Sequence, residues 1–163
     1  MTRPAPFAFL ISAALSALAT YPSIAGARLL PASSCTAQGP ISGRVFPYVT
    51  GLYNRTTSAE GIMCGYPDVQ GDTKSSVSGL WVDALLGPGS GPLVVFACSQ
   101  SWTGTQLKCS ANKNSPAGQS GPLTVTLSGS DVTSIWGSAF ASSYGSVYVG
   151  LPNNSLFYGI TTF

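Results

Sequence analysis

The chain has 163 residues, of which only 7% are charged, and it contains no histidine. Its seven basic and five acidic residues give a net charge of +2 and form no basic cluster, which argues against nucleic acid or an anionic membrane as a partner. The lack of histidine excludes Ser-His-Asp and Cys-His catalysis and His-ligated zinc sites. Aromatic and β-branched residues are plentiful, so the sequence predicts a packed core beneath a neutral polar surface.

The first 27 residues predict a signal peptide. Arg3 provides the positive start, Phe7–Ala19 is apolar, and Ala25-Gly26-Ala27 has the A-x-A form of a cleavage site. The apolar stretch is too short to span a bilayer, and no later segment reaches membrane length. Removal of residues 1–27 leaves residues 28–163, which we expect to form a single secreted domain.

The mature chain contains an even set of cysteines, at Cys35, Cys64, Cys98 and Cys109. Outside the cell, disulfides are the default state of such a set. Four cysteines allow three connectivities, of which we favour Cys98–Cys109 and Cys35–Cys64. A metal site is the poorer alternative because the chain has no C-x-x-C pair and no histidine to complete one.

The mature chain predicts about eight short strands separated by turns. Arg28–Pro40 has an irregular pattern. Gly43–Tyr53 predicts a strand, and its Pro47 lacks an amide donor, so this strand belongs at a sheet edge or carries a bulge. Glu60–Cys64 predicts a short strand that ends in a cysteine.

The central strand pair is Leu93–Ser101 followed by Thr105–Ala111. A two-residue turn at Thr103-Gly104 would place Cys98 directly opposite Cys109, within disulfide reach. Such turns prefer Gly or Asn at their first position. This chain has Thr103 at that position. The alternative, in which Cys98 and Cys109 are not bonded to each other, therefore stays open.

A preceding strand, Ser76–Leu86, is joined to this pair by the loop Gly87–Pro92, which predicts a turn back into a hairpin. If the loop is centred between the two strands, Trp81 lies directly opposite Cys98. The predicted core face then consists of Leu85, Trp81, Val94, Phe96, Cys98, Leu107 and Cys109. Asp83 would point the same way, so it must lie near a sheet end, or the register must shift by one residue.

Alternation between Leu123 and Leu127 predicts a half-exposed strand. The segment that follows is ambiguous. Ser130 could cap one helical turn, whose apolar residues would be Val132, Ile135 and Trp136.

The C-terminal segments Tyr144–Leu151 and Leu156–Thr162 alternate again and flank a turn at Pro152–Ser155, so they predict a final hairpin. The number and spacing of the strands are typical of an all-β fold. We expect a disulfide-stapled antiparallel β-sandwich of the jelly-roll or immunoglobulin-like kind.

Three stretches of the chain resemble a group of small secreted bacterial proteins that have no characterised activity. These stretches are IMCGYPDV (Ile62–Val69), VVFACS (Val94–Ser99) and YGSVYVGLPNNSLFYGITTF (Tyr144–Phe163). The likeness covers most of the mature chain. It implies secretion and a β fold, and it implies no reaction.

The chain departs from this group at two places. Gly65-Tyr66 interrupts the Cys-Pro pair that the group has at Cys64. Gly150 stands where the group has its last cysteine. The second departure supports Cys109 as a replacement partner of Cys98.

No combination of residues forms a recognisable catalytic motif. Hydrolysis by paired carboxylates needs two acids about 5–10 Å apart. The mature chain offers Glu60, Asp68, Asp72, Asp83 and Asp131. Asp68 and Asp72 share one loop and are weak candidates for binding a hard cation, although a solvated turn is the favoured interpretation.

Trp102 is the candidate ligand-binding residue, because it flanks the predicted hairpin turn among Ser, Thr and Gln side chains. Exposed aromatic rings rimmed by hydroxyl and amide groups are suited to hold neutral sugars. In the alternative interpretation, Trp102 packs against Val77, its predicted cross-strand neighbour. Trp81 and Trp136 are expected in the core.

The sequence therefore predicts a secreted, non-enzymatic structural or interaction module without a cofactor. Its partner would be an extracellular protein or a glycan surface, and a specific version of the hypothesis is the binding of neutral carbohydrate. The alternative is a secreted hydrolase that uses paired carboxylates.

Overall fold

A computed structural model describes residues 28–38, 45–66, 74–101, 103, 105–136 and 143–163. In these residues the regular structure is mostly antiparallel β-strand, arranged as two packed sheets around one apolar core. The predicted antiparallel β-sandwich is confirmed. The signal peptide predicted over residues 1–27 lies outside the described residues.

Within the described part, each sheet has six strands. The first sheet contains β1 (Arg28–Pro31), β3 (Val45–Tyr48), β4 (Gly51–Asn54), β6 (Leu80–Leu86), β10 (Gly121–Leu127) and β12 (Ser155–Thr162). The second contains β2 (Cys35–Ala37), β5 (Glu60–Tyr66), β7 (Val94–Ser101), β8 (Leu107–Cys109), β9 (Lys113–Asn114) and β11 (Ser143–Leu151). The first sheet has the order β10-β6-β12-β4-β3, with β1 also beside β12. The second has the order β2-β5-β11-β7-β8, with β9 also beside β7.

The strand count exceeds the predicted number for three reasons, the first of which is the two-residue strand β9, in a segment where no strand was predicted. Within Gly43–Tyr53 the described residues form a hairpin of two strands, β3 and β4, and β3 lies at the sheet edge as Pro47 requires. Arg28–Pro40 was expected to be irregular, but it contributes the short strands β1 and β2. The strands within these two segments have only three or four residues each, too few to show a clear alternating pattern.

The predicted hairpin between β6 and β7 is wrong, because β6 lies in the first sheet and β7 in the second. The loop between them crosses from one sheet to the other. Trp81 consequently does not face Cys98 and is not in the core. It is 44% exposed on the outer face of the first sheet, opposite Thr126, with its ring 4.8 Å from that of Phe163.

The predicted core face of these strands is also wrong. Of its residues Cys98 alone is buried, and the half-buried or exposed ones are Leu85, Trp81, Val94, Phe96, Leu107 and Cys109. The core face is the opposite one, made of Leu80, Val82, Ala84, Leu86, Val95 and Ala97. Both strands are apolar on two faces, so alternation alone did not determine which face is buried. Asp83 lies on the outer face, where Thr124 Oγ1 donates a hydrogen bond to its carboxylate at 2.6 Å.

The predicted final hairpin is wrong for the same reason, since β11 belongs to the second sheet and β12 to the first. The two crossings meet at one end of the sandwich. A Cβ atom at Gly87 would lie 2.2 Å from the carbonyl oxygen of Asn154. Only glycine permits this approach, so Gly87 holds the two crossings side by side.

Both predicted disulfides are confirmed. Cys98 stands directly opposite Cys109 across β7 and β8, with their Cα atoms 4.1 Å apart. Cys35 stands opposite Cys64 across β2 and β5, with a Cα separation of 4.3 Å. All four thiols are oxidised, so no cysteine is available as a nucleophile.

The ambiguous segment after β10 forms a helix, α1 (Gly129–Trp136). The three apolar residues predicted to face inward are buried, namely Val132, Ile135 and Trp136. The Trp136 indole donates a hydrogen bond to the carbonyl of Cys98 at 2.8 Å, which fastens the helix to β7. No helix in the described ranges is long and apolar enough to cross a membrane.

Asp131 caps α1, since its carboxylate accepts hydrogen bonds from the backbone N and the hydroxyl of Ser128, both at 3.1 Å. Lys113 Nζ lies 3.3 Å from the same oxygen. Burial alone would raise the pKa of Asp131, but the hydrogen bonds from Ser128 and Lys113, together with the Lys113 charge, lower it below its ordinary value. The charged carboxylate therefore stabilises the fold above the pKa of the unfolded chain and loses this effect as pH falls through the folded pKa.

We expect Asp131→Asn to reduce the free energy of unfolding by about 0.5–1 kcal/mol at neutral pH. At about pH 2 the difference in stability between the variant and the natural protein should be smaller, because protonation removes the effect of the charge as pH falls through the lowered pKa of Asp131. Urea unfolding at the two pH values measures the difference. A loss of the same size at both would contradict a role for the charge.

Candidate functional site

The candidate residues proposed from the sequence are only partly described. Trp102, Asp68 and Asp72 lie outside the described residues, so their roles stay predictions. The register that would place Val77 opposite Trp102 is wrong, because β6 and β7 do not pair. Trp136 is in the core, as expected.

The three acids that the structure describes occupy different elements: Glu60 begins β5, Asp83 lies within β6, and Asp131 is in α1. The first two accept hydrogen bonds from nearby hydroxyl groups, and the third pairs with Ser128 and Lys113. No cluster of three or more metal-ligating side chains occurs among the described residues. These acids therefore add no support to a paired-carboxylate centre.

The outer face of the second sheet carries a groove of about 560 Å³, here termed the polar groove. Its polar lining residues are Ser34, Thr36, Gln38, Gln100 and Ser146. Its larger apolar lining residues are Met63, Leu107 and Tyr144, and Gly65 lies among them. The volume falls within the range of small-molecule sites.

Strand register builds the wall of this groove. Tyr144 on β11 pairs with Gln100 on β7, and Gln100 pairs with Leu107 on β8. Residues paired across a sheet present their side chains to the same face, so these three form one row. Tyr144 is 67% exposed and Leu107 is 62% exposed, so both project from the sheet.

The floor is formed by the next row, in which Gly65 on β5 pairs with Ser146 on β11. A Cβ atom at Gly65 would have no other atom within 4 Å, so the space above this glycine is open. Ser146 contributes one hydroxyl beside it. The floor is therefore shallow and backbone-lined, and a flat ring can approach it closely.

A further row lies beside the floor. Phe96 and Tyr148 stack with ring centroids 4.5 Å apart and an interplanar angle of 17°. A Cβ atom at Gly61 would lie 2.7 Å from the Tyr148 hydroxyl oxygen, so Tyr148 rests on that glycine. This packing holds a rigid aromatic surface next to Met63, which pairs with Tyr148 across the sheet.

The part of the polar groove that the structure describes is neutral, since none of the lining residues there is charged. Hydroxyl groups both donate and accept hydrogen bonds, and the amides of Gln38 and Gln100 do the same through separate atoms. The Tyr144 ring adds an apolar face. This combination suits a neutral molecule that has hydroxyl groups on its rim and a C–H face on its ring.

Sequence reasoning missed Tyr144 because tyrosine is common in strands and the outer face of β7 was assigned to the core. A usable signal was present. Tyr144, Ser146 and Tyr148 alternate with Gly145, Val147 and Val149, which separates a polar face from an apolar one.

One lining residue of the polar groove, Gln100, lies two positions before Trp102, the candidate ligand-binding residue predicted from the sequence. The resemblance to small secreted bacterial proteins stays a prediction. No protein-family model matches this chain, and no curated protein matches it either.

Proposed function

We propose that this protein is a secreted, non-enzymatic module that binds neutral carbohydrate in the polar groove. The observation that carries the proposal is the described lining, in which the exposed Tyr144 ring stands among hydroxyl and amide groups and none of the described side chains is charged. The two disulfides support secretion, because such bonds persist in oxidising compartments. The predicted signal peptide agrees with it.

A sugar ring would use both parts of this lining. Its C–H face would stack on Tyr144, while its hydroxyl groups would exchange hydrogen bonds with Gln100, Gln38 and Ser146. The open space over Gly65 would receive the ring. The position of Trp102 in the sequence, shortly after Gln100, supports a second stacking ring at the same hairpin.

The non-enzymatic part of the proposal is supported by the described lining residues, none of which is a carboxylic acid. Glycoside hydrolysis needs a carboxylic acid and a second carboxylate at the scissile bond. Among the residues that the structure describes, the polar groove is lined by neither an acid nor a basic residue. Binding without turnover is the activity that this lining supports.

The test is a pull-down of the mature protein on insoluble cellulose, chitin, xylan and starch, followed by calorimetric titration with the matching soluble oligosaccharides. Tyr144→Ala should weaken binding about tenfold through loss of a stacking contact. Gly65→Tyr should abolish it, because the new side chain fills the open space without a backbone clash. Tyr158→Ala is the matched control, since Tyr158 is 37% exposed but lies on the other sheet.

Lack of binding to every polysaccharide would refute the proposal. Binding that survives both Tyr144→Ala and Gly65→Tyr would show that the sugar sits elsewhere. Trp102→Ala tests the sequence prediction separately. Release of reducing ends during incubation would favour the hydrolase alternative instead.

A further inference from the structure

The outer face of the first sheet carries a second concave surface, of about 660 Å³, here termed the apolar trough. It is lined chiefly by Tyr48, Tyr53, Arg55, Leu85, Pro88 and Leu156. The two sites lie on different sheets and share no lining residue. They differ in chemistry, because this one has an apolar floor and a cation at its rim.

Strand register produces the apolar floor. Phe46, Tyr53, Leu156 and Leu85 are paired in turn across β3, β4, β12 and β6. Such a row presents one continuous band of apolar side chains to the same face of a sheet. An apolar band of this kind gains free energy when a hydrocarbon surface covers it.

The trough is bounded at one end by the two sheet crossings. Gly87 and Pro88 from one crossing and Asn154 from the other line it together. The missing side chain at Gly87 lets these segments meet, so the boundary is packed backbone. A bound molecule would therefore have a defined end against which to rest.

Arg55 supplies the only charge among the lining residues that the structure describes. Its guanidinium carbon lies 5.6 Å from the ring centroid of Phe46 and 5.8 Å from that of Tyr53. Among the residues that the structure describes, no carboxylate lies within ion-pair distance of the Arg55 guanidinium. The two rings hold the guanidinium in place, and its planar set of donors matches a carboxylate.

We propose that the apolar trough binds an apolar carboxylic acid, a molecule with a hydrocarbon or aromatic body and one anionic head. The body lies on Leu85 and Leu156 between the tyrosine rings. The carboxylate accepts hydrogen bonds from Arg55. An uncharged molecule of the same shape leaves the guanidinium without an anion and binds more weakly.

The test uses the fluorescence of 1-anilinonaphthalene-8-sulfonate bound to the full mature protein and its displacement by decanoate or by decanol. Decanoate should displace the dye at a concentration about tenfold lower than decanol does, as expected for a charge-assisted hydrogen bond. Arg55→Gln should remove that difference. Tyr48→Ser, at a 59% exposed position, should weaken displacement by both compounds.

Two matched controls separate this site from the rest of the surface. Lys108→Gln removes an exposed cation from the second sheet, and Tyr144→Ala removes an exposed ring from the polar groove. Neither should change the displacement by decanoate. Thermal unfolding confirms that each variant is folded before it is titrated.

Three results would overturn the proposal. These are failure of the natural protein to bind the dye, equal displacement by decanoate and decanol, and an Arg55→Gln variant that still prefers decanoate. None of them bears on the polar groove, because sugar binding there is tested with other residues and other compounds.

Discussion

Replacing Asn54 with alanine is expected to lower the free energy of unfolding by about 3 kcal/mol or more. Asn54 is fully buried. Its side-chain nitrogen donates to the carbonyl oxygens of Ser58 and Leu151, both at 2.9 Å, and of Pro152 at 3.1 Å. Its side-chain oxygen accepts from the backbone N and the hydroxyl of Thr56 at 2.9 and 2.8 Å.

The expected loss is large because Asn54 links the two sheets. It ends β4 in the first sheet, whereas Leu151 ends β11 in the second, directly before the chain crosses back. Alanine would leave buried carbonyl groups without donors, which costs more than the hydrogen bonds themselves contribute. The same burial makes the sequon Asn54-Arg55-Thr56 unsuitable for glycosylation in the folded protein.

Urea unfolding of Asn54→Ala at neutral pH measures this effect. Asn153→Ala is the matched control, because Asn153 also begins an Asn-x-Ser/Thr sequence, Asn153-Asn154-Ser155, but is partly exposed. We expect that control to change stability by no more than about 0.5 kcal/mol. A loss below about 1 kcal/mol for Asn54→Ala would mean that water replaces the amide, contrary to the expectation.

Removal of the Cys35–Cys64 disulfide is expected to be the second large effect, at about 3.6 kcal/mol. Removal of Cys98–Cys109 should cost about 3 kcal/mol. The difference arises because the bonds close loops with sequence separations of 29 and 11, and the longer loop restricts the unfolded chain more. The first bond also fastens β2, which has only three paired residues at the sheet edge.

The measurement compares two double variants, Cys35→Ala with Cys64→Ala, and Cys98→Ala with Cys109→Ala, by urea unfolding without reductant. The natural protein in dithiothreitol should be less stable than either. Limited proteolysis should reveal early cleavage near β2 in the first variant alone. If the second variant proves the less stable of the two, loop length does not govern the loss.

Several features of the fold could be predicted from local pattern. Alternation located most of the strands, and the turn predicted at Thr103-Gly104 gave the register that pairs Cys98 with Cys109, which the structure confirms. The spacing of Val132, Ile135 and Trp136 indicated the helix. These features depend on residues close together in the chain, so the sequence contains them directly.

The assignment of strands to sheets could not be predicted in the same way. The Gly- and Pro-rich loop at residues 87–93 and the Pro-Asn-Asn turn at residues 152–154 each allow a hairpin or a crossing between sheets. The crossing occurs because β6 and β12 bury one face against β7 and β11, which pairing in one sheet would not permit. The one local sign against the predicted core face of β6 was that it would have buried the charged side chain of Asp83.

For the candidate sites too, one part could be predicted from the sequence and another depends on the tertiary structure. Composition alone indicated a neutral surface with few charges, and hence a neutral ligand as the first hypothesis. The polar groove combines residues from positions 34 to 146, and the apolar trough combines residues from positions 48 to 156. Which side chains stand together at each depends on the register between strands distant in sequence. That register is set by burial of the whole core, a property that no short stretch of sequence contains.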